Sequence, residues 1–309
     1  MPLRELSTEL QDVAIKELNE DPQRIPDDLA HIKTWLSKQA YLTARTDEQL
    51  LLTFLRGCKY SLERTKEKID MHYTLKTITP EIYADRDPLR PEIQKVLSVG
   101  PMLPLPKTAH PAGPRYNLAR NSLVSIHDLD QAAVFKVSAM IQDILLLEDD
   151  NLAVAGTTLL HDMSNLSMTH IISTVSPSLV KKIMTCVQHG YPNRIKGAIF
   201  FNVTPVFDAI HRVFKPFLTE KVRDRMRICK TPEDLHQVVP KSVLPEELGG
   251  EGGKIEDIVA YWKTKVESYR DWFIEDAKYG TNEKNRPGKP KTSESIYGID
   301  GSFRQLAVD

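Results

Sequence analysis

Between residues 157 and 229, three short apolar runs of strand length alternate with segments of helical spacing, and this alternation restricts the fold more than any other feature. TTLLHDM (157–163), GAIFFNV (197–203) and RMRIC (225–229) read as strands. Residues 177–189, with Pro177 in the first turn, and residues 206–225 read as helices between them. Strand, helix, strand, helix, strand demands crossover connections, which set the strands parallel in one sheet with helices on its faces. Upstream, RYNLA and SLVSIHDL within 115–128 read as further strand-like pieces. Residues 132–147 are apolar on almost every side, as expected of a buried helix. The expected fold class is α/β with a mostly parallel sheet.

The first ninety or so residues carry helical spacing only. Leu6, Leu10, Val13 and Glu17 form one stripe, and Leu29, Ile32, Trp35 and Leu36 a second. A third helix opens at TDEQ (46–49), where Thr46 and Gln49 suit a capping box; it turns Leu50, Leu51, Phe54 and Leu55 inward and stops at Gly57. A fourth runs from Ser61 to about Thr77, ahead of Pro80. Residues 90–114 are rich in proline and read as an extended connector. Three units are expected: a helical domain over 1–90, an α/β domain over 91–275, and a tail over 276–309 whose Tyr297, Ile299, Phe303 and Leu306 pack back on the body.

Composition narrows the function classes. A chain of 309 residues holds one large domain or two modest ones. With 41 Lys and Arg against 42 Asp and Glu, no global field attracts nucleic acid or membrane, so an electrostatic partner must meet a local patch. No apolar run approaches the ~20 residues needed to span a bilayer. The opening MPLRELSTELQDVA is too polar for a signal peptide. Cys58, Cys186 and Cys229 lack paired spacing and read as free thiols in a reducing compartment. A cytoplasmic address is expected.

Catalytic and cofactor motifs are missing. There is no GxSxG elbow and no GxGxxG after a strand. GGEGGK (249–254) lacks the first glycine and the final Ser or Thr of a phosphate loop and reads as a turn. His161 and Asp162 end a strand, but alternation sends their side chains to opposite faces. None of the nine histidines has HxxxH metal spacing. A protein that is not an enzyme, without cofactor or metal, is expected.

Several segments, in order, resemble the CRAL-TRIO lipid-transfer family: LLTFLRGCKYSL (51–62), SPSLVKKI (176–183), YPNRIKG (191–197), KPFLTEK (215–221) and LPEELGG (244–250). The order and spacing hold from about residue 30 to 275, and the likeness is greatest to the tocopherol-transfer and retinaldehyde-binding branch. The resemblance implies an N-terminal helical bundle and an α/β domain that holds a lipid between its sheet and a mobile lid helix. Carried over position by position, the cavity would be lined by Phe135, Ser138, Gln142, His161, Val175, Ile183, Val187, Tyr191 and Ile195. Ser164 and Asn165 stand where the family has glutamate and glycine, and Gln142 and His161 make the pocket more polar than the tocopherol one.

The helix at 206–225 places Val206, Phe207, Ile210, Val213, Phe214, Phe217 and Leu218 on one face, with Pro216 as an interruption. In most proteins such a stripe is core packing; the resemblance makes it the lid, with Phe207, Ile210, Phe214 and Phe217 against the cargo. Basic residues gather at Arg194, Lys196, Lys221, Arg223 and Arg225. The resemblance assigns Arg194, Lys196, Lys221 and Arg225 to a phosphoinositide-binding patch, where Cys58 replaces a family arginine and the adjacent Lys59 substitutes for it. The resulting expectation is a monomeric cytosolic carrier of a tocopherol-, retinoid- or carotenoid-like lipid. It would touch phosphoinositide-containing membranes transiently and would not bind nucleic acid. The alternatives are a phospholipid or phosphoinositide sensor in membrane trafficking and, further off, a lipid-modifying enzyme.

Overall fold

The computed structural model describes residues 3–166, 176–204, 207, 211–212, 215 and 220–298. The helical half comprises α1 (Thr8–Leu18), α2 (Ile25–Ser37), α3 (Glu48–Gly57), α4 (Leu62–Ile78) and the short α5 (Pro80–Tyr83). α3 is buried along nearly its whole length, including Arg56, whose guanidinium pairs with the buried Glu20 at 2.8 Å. Glu20 also accepts from Tyr60 Oη at 2.7 Å. This pair of bonds braces the turn after α3, where Lys59 and Tyr60 adopt left-handed backbone (φ 54° and 58°).

α6 (Pro91–Val99) leads into strand β2 (Met102–Pro104), followed by β3 (Arg115–Arg120), α7 (Leu123–Ile126), α8 (Gln131–Glu148), α9 (Asp150–Ala155), β4 (Thr157–Asp162) and α10 (Pro177–Thr185). A five-residue π-helical turn, Cys186–Gly190, joins α10 to β5 (Ile195–Phe201). After α11 (Glu220–Arg223) come β6 (Met226–Ile228), α12 (Pro232–Val238), α13 (Ile255–Ser268), α14 (Arg270–Asp276) and α15 (Ser293–Tyr297). A separate two-stranded ribbon pairs β1 (Leu42–Thr43) with β7 (Gly280–Thr281).

The main sheet runs β2–β3–β4–β5–β6, antiparallel only at the β2 edge and parallel from there on. Its register aligns Asn117 with Leu159 and Ala198, and Ala119 with His161 and Phe200. These residues therefore share one face. An extra residue on β5, Lys196, interrupts the ladder between Thr157 and Thr158. The core is continuous from the bundle to the sheet, since Leu29, Ile32 and Phe54 belong to the same cluster as Leu118, Leu160 and Ile199. α1 packs separately on α9 through Leu10, Ala14, Leu18, Val154 and Ala155.

Charge is buried where the pieces join. Asp276 of α14 accepts from Arg45 at 2.9 Å and also from Lys76 and Arg86, while Arg86 reaches Asp143 of α8 at 2.6 Å. Further along, Arg286 forks onto Asp70 of α4 at 2.8 and 3.0 Å, and Tyr297 Oη meets Thr79 Oγ1 at 2.6 Å.

Three local expectations are corrected. The proline-rich stretch is not all extended: Pro91 occupies the first turn of α6, where its missing N–H costs nothing, and Gly100 caps the end at φ 64°. The SLVSIHDL piece forms the short helix α7 instead of a strand. Thr46 does not close a capping box, because Asp47 is the N-cap of α3 and its side chain makes no cap bond. The proposed 206–225 helix falls mostly outside the described residues, and so do Ile299, Phe303 and Leu306.

Candidate functional site: an apolar cavity beside a basic groove

α8 lies over the face of β3, β4 and β5 that carries Asn117, Leu159 and Ile195, and the packing leaves a cavity of about 160 Å³. Phe135, Ser138 and Gln142 of α8 recur at three- and four-residue spacing, so one helix face supplies all three. Leu159 and Asn117 form part of the floor, Ile183 and Cys186 a side wall, and Tyr83 with Tyr191 one end. Among the described residues no Asp, Glu, Lys, Arg or His lines this space. Two of its polar groups are spoken for: Ser138 Oγ donates to Val134 O at 2.8 Å, and Gln142 Nε2 donates to Asn193 Oδ1 at 3.1 Å. Asn117 Oδ1 and Tyr191 Oη are buried without a partner among the described residues. Tyr191 Oη lies near the Tyr83 hydroxyl without reaching hydrogen-bond geometry, and burial pushes both phenols well above their usual range.

Beyond the cavity the same sheet face continues as a row of rings. His161 stacks on Phe200 (4.7 Å, 10°), Phe200 meets Phe207 edge-on (5.2 Å, 61°), and Phe207 stacks on His211 (5.9 Å, 8°). Burial holds the His161 imidazole down to about 4, so it is neutral at neutral pH. Its ring lies flat on the Phe200 face.

On the other side of the cavity lies a larger basic groove of about 810 Å³. Lys59, Arg64, Lys68, Arg194, Lys196 and Arg225 line it, against Glu17 and Glu67. Two sequence segments distant in the chain meet here because Gly57 lacks a side chain: a Cβ at that position would strike the Pro192 carbonyl. Arg194 and Lys196 both reach Glu17 on α1, at 2.8 and 2.9 Å. Arg194 also donates to Val154 O, and Arg225 donates to Ile195 O.

Val187, Asn193 and Ile195 border both spaces, so the cavity and the groove share a wall. Val187 belongs to the π turn, a rare geometry that recurs at functional sites, and the same turn gives Cys186 to the cavity and Gln188 and His189 to the groove. α4 holds the turn at two points one helical turn apart. Lys68 Nζ donates to Gln188 O at 3.1 Å, and His72 Nδ1 lies 3.0 Å from Gly190 O. Burial lowers Lys68 and takes His72 down to about 4.

Of the residues expected at the cargo site, Phe135, Ser138, Gln142, Ile183, Val187, Tyr191 and Ile195 come together in the cavity. His161 and Phe207 stand in the adjoining ring row, outside the cavity lining. Val175, Ile210, Phe214 and Phe217 lie outside the described residues. Lys59, Arg194, Lys196 and Arg225 share the groove, with Cys58 beside Lys59; the side chain of Lys221 lies outside what is described. Sequence reasoning missed Asn117, Leu159 and Tyr83 in the cavity and Arg64 and Lys68 in the groove. Arg64 and Lys68 sit four apart on α4, a helical spacing that could have marked them.

Comparison with known proteins agrees with this architecture. Residues 111–250 match the CRAL/TRIO domain model, and residues 21–93 match the Pinta-like, UBA domain model. A mouse alpha-tocopherol transfer protein-like protein is 27% identical over 279 residues, covering 88% of this chain and 78% of its own. Rat clavesin-2 is 27% identical over 259 residues, covering 79% of this chain and 75% of its own. The crystal structure of Sfh5 superposes with a TM-score of 0.53 at 16% identity, covering 89% of this chain and 100% of its own, a likeness of fold. The fold and cavity thus define an α/β binding domain preceded by helices. Residues 111–250 are thus a domain of the CRAL-TRIO family, a family of lipid-binding and lipid-transfer proteins. Among the described residues no helix is long and apolar enough to cross a membrane.

Proposed function

We propose that this chain carries one neutral, isoprenoid-like lipid in the cavity and exchanges it at membranes rich in phosphoinositide. The observation behind this reading is the common wall: Val187, Asn193 and Ile195 face the apolar cavity on one side and the basic groove on the other. An anionic surface seated in the groove would press on the same residues that enclose the cargo. The cavity, uncharged among its described residues, suits a hydrophobic molecule and disfavours a charged head-group, whose desolvation nothing there would offset. An apolar cavity of ~150 Å³ takes a benzene-sized group. A longer lipid would put its ring end in the cavity and extend along the row of His161, Phe200 and Phe207. The names of the relatives, one a tocopherol-transfer-like protein, support the same class.

The test is transfer. The pure protein is loaded from donor vesicles with a fluorescent tocopherol or retinoid, and delivery is followed to acceptor vesicles of phosphatidylcholine alone or with phosphatidylinositol bisphosphate. Faster delivery to the phosphoinositide vesicles supports the reading. A protein that binds those vesicles but neither takes up nor delivers apolar cargo would be a membrane sensor instead.

A further inference from the structure

We propose that the cargo carries a hydroxyl group and that Asn117 is the residue that receives it. This rests on the reading of the cavity as the cargo site and names the chemistry of the molecule that fills it.

Asn117 stands in the middle of β3, in register with Leu159 on the cavity floor, where an aliphatic side chain would complete an apolar surface. Asn117 is instead a buried amide, 7% exposed as a residue, and its Oδ1 has no hydrogen-bond partner among the described residues. The other amide and hydroxyl groups of the α8 roof differ, because Gln142 and Ser138 are satisfied within the protein. Native interiors seldom leave a buried acceptor unpaired, so an orphan on the wall of a ligand cavity points to the ligand as partner. Tyr191 adds a second orphan, a hydroxyl that can donate, at the end of the same small space.

The chemistry of these two groups selects among lipids. A carboxylate or phosphate would enter a space where no described cationic side chain waits for it. A hydrocarbon or an ether would leave Asn117 Oδ1 without a donor. An aldehyde or ketone could accept from Tyr191 but could donate nothing to Asn117. An alcohol or phenol does both: its O–H donates to Asn117 Oδ1 and its oxygen accepts from Tyr191.

A matched series tests this: a polyprenyl alcohol, its methyl ether, its aldehyde and its carboxylic acid, each titrated into wild type, Asn117→Leu, Asn117→Thr and Tyr191→Phe. Wild type should bind the alcohol at least ~10-fold more tightly than the ether, because the ether strands a buried polar group. Asn117→Leu should bind alcohol and ether alike while holding the ether as well as wild type does. Asn117→Thr, which keeps a hydroxyl on a β-branched frame, should retain part of the preference, and Tyr191→Phe should weaken binding of alcohol, ether and aldehyde alike. If Asn117→Leu does not fold, as judged by its melting transition, Asn117→Thr carries the comparison. Equal binding of alcohol and ether by wild type, or an undiminished preference in a folded Asn117 variant, overturns the assignment. Binding of no member of the series by wild type overturns the cargo reading beneath it.

Discussion

Glu17 of α1 sets one carboxylate oxygen 2.8 Å from Arg194 Nη2, and the same oxygen lies 2.9 Å from Lys196 Nζ. Hydrogen bonds from Lys196 and then Arg194 hold this carboxyl below the usual carboxylate range. The first helix thus brings an anion of its own to the groove in which an anionic head-group is proposed to sit.

Glu17→Gln should therefore strengthen binding to anionic vesicles. A partly exposed ion pair is worth at most ~1 kcal/mol, so the gain should be about two- to fivefold. Co-sedimentation with phosphatidylinositol bisphosphate vesicles measures it, and a loss of binding would show that Glu17 orders the groove instead of competing for it.

Charge reversal in the groove separates membrane contact from cargo. Arg194 and Arg225 also hold backbone carbonyls, so Lys59→Glu with Lys196→Glu is the cleaner pair. Each basic residue near an anionic surface contributes ~1 kcal/mol, so the double variant should bind such vesicles at least ~30-fold more weakly, with cargo affinity unchanged. Equal binding by wild type and variant would make the groove ordinary surface.

Ser138, which borders the cavity and not the groove, permits the converse experiment. Ser138→Trp adds bulk to the α8 roof and should fill the cavity, which abolishes cargo uptake while vesicle binding persists. Retained uptake would place the cargo elsewhere.

Asp276 governs stability and its response to acid. Burial alone would push its carboxyl up, but the charges of Arg86 and Lys76 and the bonds from Lys76 and Arg45 outweigh that and hold it down to about 2. Because the folded value lies below the ordinary one of 3.8, its contribution is complete above the ordinary value and is lost as pH falls toward 2. Asp276→Ala should cost ~3–5 kcal/mol in urea unfolding, since three cations lose a buried partner, and should flatten the acid limb of the stability profile. A cost below ~1 kcal/mol would mean that Asp143 and Glu275 suffice.

The legible parts of this fold are those where one period persists. β4, β5 and β6 follow from short apolar runs between turn residues, and α8 from a largely apolar stretch too long for a strand. Short or proline-led elements were misread. Pro91 opens α6 as readily as a proline ends a helix, and the four residues of α7 are too few to distinguish a period of two from one of 3.6. In the site, the α8 face and the run through Tyr191 to Lys196 could be placed by resemblance. Asn117 and Leu159 could not, because strand alternation says only that they share a face, and which face meets the cavity is decided by where α8 packs. Arg64 and Lys68 look like solvated charges on α4 until Gly57 admits Pro192 and closes the groove over them.

The π turn at Cys186–Gly190 gives this arrangement a heritable consequence. One side of the turn borders the cavity and the other the groove, so under the proposed function a substitution that retunes the fit of a lipid would also reshape the seat of a membrane. Lineages that change cargo would then be expected to change destination with it, unless compensating mutations arise at Lys68 or His72, the two residues of α4 that hold the turn in place.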